Sequence, residues 1–303
     1  MRAVRQYEFG GPSTLRYEEV PDPVPGPAEV LIHVEACGVH LIDASLRAGV
    51  QPGPPLPSLP CTPGREVAGW AGGRRVVAHL GPGGGGYASL AVAPVAALHD
   101  VPASLSFPAA AALVGTGRTA VAILEDAALT PSDVVLVPGA AGGLGSLLTQ
   151  AAVRAGATVV GLAGGPVKTA QVTADVVIDY SASSWEARVP DATVLLDGIG
   201  GSVGRALLER VRPGGRAVLF GWSSGAPYEL GVGDLYRPGV SVSCTIGARI
   251  ASRGLMPLAA SALALGASGA WTPTTTTFPL AEAAEAHRAM EAREAIGKTV
   301  LIP

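Results

Sequence analysis

This 303-residue chain is short of charge. Asp, Glu, Lys and Arg make up only 15% of it and the formal net charge is −3, where a typical domain carries ~25% charged residues. That balance excludes a basic stripe for nucleic acid and any strong attraction to an anionic membrane. Lysine is almost missing, with Lys168 and Lys298 the only two among 21 basic residues. Cysteine is scarce as well. Cys37, Cys61 and Cys244 are far apart, odd in number and form no C-x-x-C pair. No disulfide framework can be built from them, and reduced thiols in a cytoplasm are expected. Long hydrophobic runs are also absent. The best uncharged stretch, Leu255 to Trp271, is mostly Ala, Leu, Gly and Ser and falls short of a membrane span. No apolar core follows Met1-Arg-Ala-Val-Arg5, so no secretory leader is expected.

What the chain does have is glycine in one telling place. Asp133-Val-Val-Leu-Val-Pro-Gly-Ala-Ala-Gly-Gly-Leu-Gly145 reads as a buried strand, then a tight turn, then the start of a helix. The helix continues through Gly156, with Leu144, Leu148, Ala151 and Ala155 on one face, and Thr158–Ala163 supplies a second strand. This is the phosphate-binding half of a dinucleotide fold. Ala140, Gly142 and Gly145 hold the three fingerprint positions. The second lets the backbone approach a pyrophosphate, and the third lets helix and strand pack closely. Gly139, Ala141, Gly143 and Leu144 complete the turn, and the helix N-terminus offers free N–H groups to the phosphates. The bland alternative is a glycine turn in an ordinary α/β protein.

The choice of dinucleotide is a question of charge. An NAD site carries Asp or Glu about twenty residues on, at the end of the second strand. None occurs between Asp133 and Asp175, and the strand runs instead into Ala163-Gly-Gly-Pro-Val-Lys168. Lys168 can pair with a 2′-phosphate, which favours NADPH. A solvated surface lysine is the alternative.

Organisation follows the periodicity. Residues 1 to about 105 hold short apolar runs broken by Gly and Pro (Glu29–Glu35, Arg74–His79, Tyr87–Ala93), which suits an irregular β-barrel. A long alanine-rich helix is expected from Pro108 through Ala122. Strands at Val176–Asp179, Ala192–Asp197, Gly215–Phe220 and Val240–Cys244 then alternate with helices, predicting a parallel, doubly wound sheet. A β-like run near Thr275–Pro279, a helix over 281–291 and a closing strand, Lys298–Ile302, follow.

Ordered segments along the whole chain carry a resemblance. They are Met1-Arg-Ala-Val…Phe9-Gly-Gly-Pro12, Gly38-Val-His-Leu-Ile-Asp43, Pro63-Gly-Arg-Glu-Val-Ala-Gly69, Gly117-Arg-Thr-Ala120, the glycine turn, Leu196-Asp-Gly-Ile-Gly-Gly201, Pro213-Gly-Gly-Arg216 and Ala286-His…Gly297-Lys298. The chain resembles the zinc-independent quinone oxidoreductases of the medium-chain dehydrogenase/reductase superfamily. The resemblance implies an α/β fold in two parts. One is a GroES-like β-barrel-type catalytic domain from residues 1–108 and 248–303; the other is a Rossmann domain over 109–247. It also implies an NADPH-dependent reductase of quinones or α,β-unsaturated carbonyls, and a homodimer formed through the strand near Val240–Ile246. By the same resemblance, cofactor contacts extend to Thr119, Gly165 (where a serine is common), Tyr180, Gly198, Ile199, Phe220, Gly221 and Arg293. Tyr180, Arg293 and Lys168 would meet the 2′-phosphate.

Zinc-dependent relatives place a cysteine where His40 stands and a histidine where Arg65 stands. A guanidinium stays protonated and cannot ligate, so no metal is expected. Two segments are shorter than in typical relatives: the connection between Trp70 and Arg74, and the helix after Lys168. The catalytic candidates are His40 and Asp43, in the segment that the resemblance places near the nicotinamide. His40 can donate a proton near neutral pH to a developing enolate, or it can serve only as a hydrogen-bonding group. Tyrosines found in some relatives are replaced by Ser45 and Gln51, which removes a tyrosine acid there. His33, His79, His99 and His287 read as structural. Two other readings stay open: an enoyl-thioester or ketide reductase, and a non-catalytic NADPH-binding sensor or structural protein. Substrate choice rests on loops 49–59 and 247–255, whose Gly and Pro leave the backbone path unreadable.

Overall fold

The computed structural model describes residues 1–51, 55–236 and 239–303, so three residues of the first substrate-loop expectation lie outside it. The chain opens with an antiparallel pair, β1 (Arg2–Gln6) and β2 (Leu15–Glu19). β3 (Glu29–Gly38) buries Ile32, Val34 and Ala36 at every second position, the period of a half-buried strand. It leads into α1 (Leu41–Arg47) and then the antiparallel β4 (Glu66–Ala71) and β5 (Arg74–His79). Only Gly72 and Gly73 join those two strands. Both adopt positive φ, +54° and +79°, as a two-residue hairpin turn of the right twist requires. This is the expected short connection. β6 (Leu90–Pro94) pairs with β3 and β7 (Leu98–Asp100) with β5.

The alanine-rich run is helical further than expected. Ser106 caps α2 (Phe107–Ala112), a π-helical turn spans 113–117, and α3 (Arg118–Ala127) ends where Ala128 turns left-handed at φ 45°. The expected stop at Ala122 is therefore five residues early, because nothing in the sequence breaks the helix before that turn. The 21-residue run Phe107–Ala127 is the one described helix long and apolar enough to cross a membrane, yet Ala110–Val114, Ala120, Ala122 and Ile123 are buried within the protein.

The parallel sheet comes next. Its elements are β8 (Val134–Pro138), α4 (Gly143–Arg154), β9 (Thr158–Ala163), α5 (Pro166–Thr169), β10 (Val176–Asp179), β11 (Ala192–Asp197), α6 (Gly201–Leu208), β12 (Val211–Leu219), α7 (Val232–Tyr236) and β13 (Ser241–Cys244). The strand order is β10-β9-β8-β11-β12-β13 with every pair parallel, the doubly wound Rossmann order. The inner strands are buried on both faces. Val135, Leu136, Val137, Val194, Leu195 and Leu196 are all inaccessible, which is why these segments read as continuous apolar runs. At about 1.5–3 kcal/mol for each large apolar side chain removed from water, this layer is the main source of stability here.

After α8 (Ala248–Ser252) and α9 (Leu255–Ala267), β14 (Thr275–Pro279), α10 (Ala283–Glu291) and β15 (Lys298–Ile302) complete the first sheet in the order β14-β15-β3-β4-β5-β7. The chain thus forms two compact units, residues 1–116 with 262–303, and residues 117–261. The sequence suggests divisions at 108 and 248 instead. The difference arises because residues 107–116 pack within the first unit: Gly115 abuts Glu66, and Leu113 fills the space beside Gly266.

Candidate active site

In the Rossmann unit, the glycine turn is built by close approach. Gly139 takes φ 71°, Gly142 donates to its carbonyl at 2.9 Å, and Ala140 N–H donates to Leu162 O at 3.0 Å. A Cβ on Gly145 would run into the Gly139 carbonyl, so α4 can lie against the end of β8 only with glycine there. Gly142 is the N-cap of α4 without a side-chain cap. The first N–H groups of α4 have no intrahelical carbonyl to meet and suit an anion. Ile199 packs on Gly139 and the Phe220 ring lies over Gly198. Ser223 N–H and Ser224 N–H, donating to Gly198 O and Ile199 O, fold the segment after Phe220 and Gly221 back onto this loop. The turn, Gly198, Ile199, Phe220 and Gly221 are therefore one cluster at the carboxyl ends of β8, β11 and β12. Thr119 sits half-buried in the first turn of α3.

The second cluster surrounds the end of β9. Gly165 has φ 86°, α5 has only four residues with Lys168 in it, and the Tyr180 ring covers Gly164. Sequence reasoning missed Asp179. Its Oδ1 accepts from Gly165 N–H at 2.8 Å, Ser181 N–H at 2.8 Å and Ser181 O–H at 2.6 Å. The Ser181 hydroxyl and these two amides hold its carboxyl below the usual carboxylate range. Only the register reveals it, since parallel pairing of β10 with β9 sets Asp179 beside Ala163. Arg293, the third expected 2′-phosphate contact, belongs to the other unit, exposed and left-handed at φ 60° after α10.

The first unit holds the catalytic candidates. His40 is the N-cap of α1, and its backbone N–H donates to Asp43 Oδ2 at 2.8 Å. Asp43 is 4% exposed and fully committed: Arg65 Nε donates to Oδ1 at 3.3 Å and Tyr87 O–H donates to Oδ2 at 3.3 Å. Its geometry is that of an anchor for the segment carrying His40. Arg65 reaches Asp43 with its guanidinium, a protonated cation that cannot ligate a metal. The chain of contacts continues inward. His287 Nε2–H meets the Tyr87 oxygen at 3.1 Å, Arg47 Nη1 donates to His287 Nδ1 at 3.3 Å, and Arg47 binds both oxygens of Glu291 at 3.2 and 2.7 Å. That donor order fixes His287 as a neutral ring, its tautomer inferred from the partners. Burial pushes its pKa down to about 4, with Arg47 adding to the effect and Asp43 and Glu291 opposing it.

Two further residues escaped the sequence reading. Glu66 is wholly buried, with Oε1 2.5 Å from His40 Nε2 and Oε2 2.8 Å from Lys298 Nζ. Burial alone would push its carboxyl up, but the charges of His40 and Lys298, the His40 hydrogen bond and more distantly His79 outweigh it, leaving Glu66 an anion far below the usual range. The signal was a charge inside an apolar strand, Glu66-Val-Ala-Gly, and one of only two lysines opening another, Lys298-Thr-Val-Leu-Ile302.

Comparison with known proteins fits this geometry. Residues 26–103 match the alcohol dehydrogenase GroES-like domain, and residues 172–301 match the zinc-binding dehydrogenase family model. A quinone oxidoreductase of Pseudomonas aeruginosa is 32% identical, with 97% of each chain covered. A 2-haloacrylate reductase of a Burkholderia species is 30% identical over 98% of this chain and 97% of its own. The Escherichia coli quinone oxidoreductase, solved with NADPH, superposes with a TM-score of 0.87 at 27% identity, covering 100% of both chains. The chain belongs to the quinone oxidoreductase family of the medium-chain dehydrogenase/reductase superfamily.

Proposed function

We propose that the protein is an NADPH-dependent reductase that transfers a hydride to a quinone or an α,β-unsaturated carbonyl without zinc. The observation that carries this reading is the glycine-built anion cradle of the Rossmann unit; the other unit by itself carries His40 in residues 38–43, with the Arg65 guanidinium bound to Asp43 of that segment. The cofactor supplies the hydride. The turn at Gly139–Gly145, with Ala140, Ala141, Gly142, Gly143 and Leu144, would hold its pyrophosphate on the N-terminus of α4. Gly198, Ile199, Phe220, Gly221 and Thr119 would bound the nicotinamide side, and Gly165, Lys168, Tyr180 and Arg293 the 2′-phosphate. Near that phosphate Asp179 brings negative charge, so the Lys168 cation is the main attraction for it. His40 donates the proton, and Asp43 anchors the segment that carries it. The relatives' names support quinone and conjugated-carbonyl substrates alike. A homodimer through β13, the edge strand of the parallel sheet, belongs to the same reading.

The test is a side-by-side fluorescence titration with NADPH and NADH, repeated on Lys168→Ala. A charge-assisted contact worth about 1.5–3 kcal/mol should favour NADPH roughly ten- to a hundredfold, and the substitution should abolish the preference. Equal affinities in the unmodified protein would refute the NADPH assignment. NADPH oxidation with a set of quinones and enones then tests the activity.

A further inference from the structure

A dinucleotide fold reads the adenosine ribose by the charge at the end of its second strand: a carboxylate there accepts from a 2′-hydroxyl and repels a 2′-phosphate. In the Rossmann unit that strand is β9, and no acid follows Ala163 in the chain before Asp175. Asp175 is spent at the opposite end of β9, where it accepts from Val159 N–H at 2.8 Å. The third strand, β10, brings a carboxylate to the vacant place. Its register sets Asp179 against Ala163, and Tyr180 N–H closes the pairing by donating to Ala163 O at 3.1 Å. Trp185 meets the Tyr180 ring edge-on, with centroids 6.4 Å apart, while that ring covers Gly164.

The donors of this corner go to Asp179. Its Oδ1 takes Gly165 N–H, Ser181 N–H and the Ser181 hydroxyl, so groups that could serve a phosphate are spent on a carboxylate. Those bonds, the Ser181 hydroxyl first, keep the side chain ionised at neutral pH, yet none of them brings a positive charge. Among the described residues no cation pairs with Asp179, and Arg188, in the turn 185–188, acts on it only from further off.

We propose that Asp179 is a specificity-determining residue: its carboxylate opposes the 2′-phosphate that Lys168 attracts, and so narrows the preference for NADPH over NADH. The inference rests on the 2′-phosphate site of the reading above, and its Gly165, Lys168 and Tyr180 belong with Asp179 to one compact unit. Two residues of opposite charge then set the preference. Lys168 widens it, Asp179 narrows it, and the ratio of affinities reports their difference. An asparagine at 179 keeps an Oδ1 that accepts the same three bonds and removes only the charge.

The experiment titrates the full-length protein with 2′,5′-ADP and with 5′-AMP by calorimetry, at low and at high salt. The two probes differ only in the 2′-phosphate, and both lack the nicotinamide. Asp179→Asn should raise the affinity for 2′,5′-ADP at least about fivefold at low salt and leave that for 5′-AMP within about twofold. At about 0.5 M salt the gain should shrink to about twofold or less, as screening of a charge requires. Ser181→Ala loosens the same corner without changing its charge, and should keep the ratio of the two affinities within about twofold. A merely structural carboxylate would move both probes together, whatever the salt. An unchanged ratio in Asp179→Asn, or an equal change in Ser181→Ala, would overturn the role of Asp179; the phosphate site would still stand if Lys168→Ala weakens 2′,5′-ADP alone. Equal affinities for the two probes, unaltered by Lys168→Ala, would overturn that site and this inference with it.

Discussion

Lowering the pH from 7.5 to 5 should weaken the fold through His287, and the size of the effect can be worked out. The ring is inaccessible, sits at pKa about 4, and faces the Arg47 guanidinium through Nδ1, so it must stay neutral in the native state. In the unfolded chain it titrates near ~6.5. Between those two values the unfolded chain binds more protons, so stability is full above about pH 6.5 and falls as pH drops toward 4. The separation is ~2.5 pH units, each worth about 1.36 kcal/mol. Summed over the titration, the loss is about 2 kcal/mol at pH 5 and about 3 kcal/mol at pH 4. Glu66 and Asp133, whose carboxyls are held far down, begin to contribute only below the ordinary carboxylate range near ~4.3. The difference between the unmodified protein and a His287 variant across pH 7.5 and pH 5 therefore isolates this ring, because a carboxyl that burial pushes up, such as Asp197, responds alike in both. The assay is a urea denaturation midpoint followed by tryptophan fluorescence, with Trp271 buried in the same unit. His287→Gln keeps one donor and one acceptor but has no charge to gain, so its stability should be lower throughout and nearly flat between the two pH values. If the glutamine variant loses as much stability as the unmodified protein on acidification, the account of His287 is wrong.

Other outcomes are expected from the same geometry. Gly145→Ala forces a methyl against the Gly139 carbonyl, which is backbone and cannot swing aside; it should cost about 1–3 kcal/mol in stability and weaken NADPH binding at least about tenfold, measured by thermal melting and titration. The protein in solution should run at twice its chain mass of 30.2 kDa by light scattering, and Cys244→Arg, on the exposed end of β13, should convert it to monomer; an unmodified protein at the monomer mass would remove the dimer.

The features legible in the sequence are those written locally. β8, the glycine turn and α4 lie within some twenty consecutive residues, and the periodicity switches from continuous apolar to helical there. The parallel order of the six strands follows from the same alternation. His40 and Asp43 were singled out by resemblance, in one short segment whose capping contacts are local. What was not legible is set by pairing across distance. Glu66 and Lys298 are named by neighbouring motifs, but only the antiparallel pairing of β3 with both β4 and β15 makes them neighbours. Asp179 was not legible because the fingerprint expects its acid at the end of the second strand, whereas this carboxylate arrives from the third. The helix past Ala122 ran on because its end is set by a left-handed backbone at Ala128, a residue type that gives no such warning.

The place of β15 one strand in from the edge of its sheet, between β14 and β3, has a consequence for the order in which the protein becomes itself. The Rossmann unit is continuous and has all its strands once residue 261 has been made. Glu66 is synthesised 298 − 66 = 232 residues before its lysine, a wait of roughly ten to fifty seconds at ribosomal speed. Until then its carboxylate lacks one of the two charges that make burial tolerable, and the strand that bears it has reason to stay wet. The nascent chain would therefore hold every strand of its Rossmann unit before Glu66 has met its lysine.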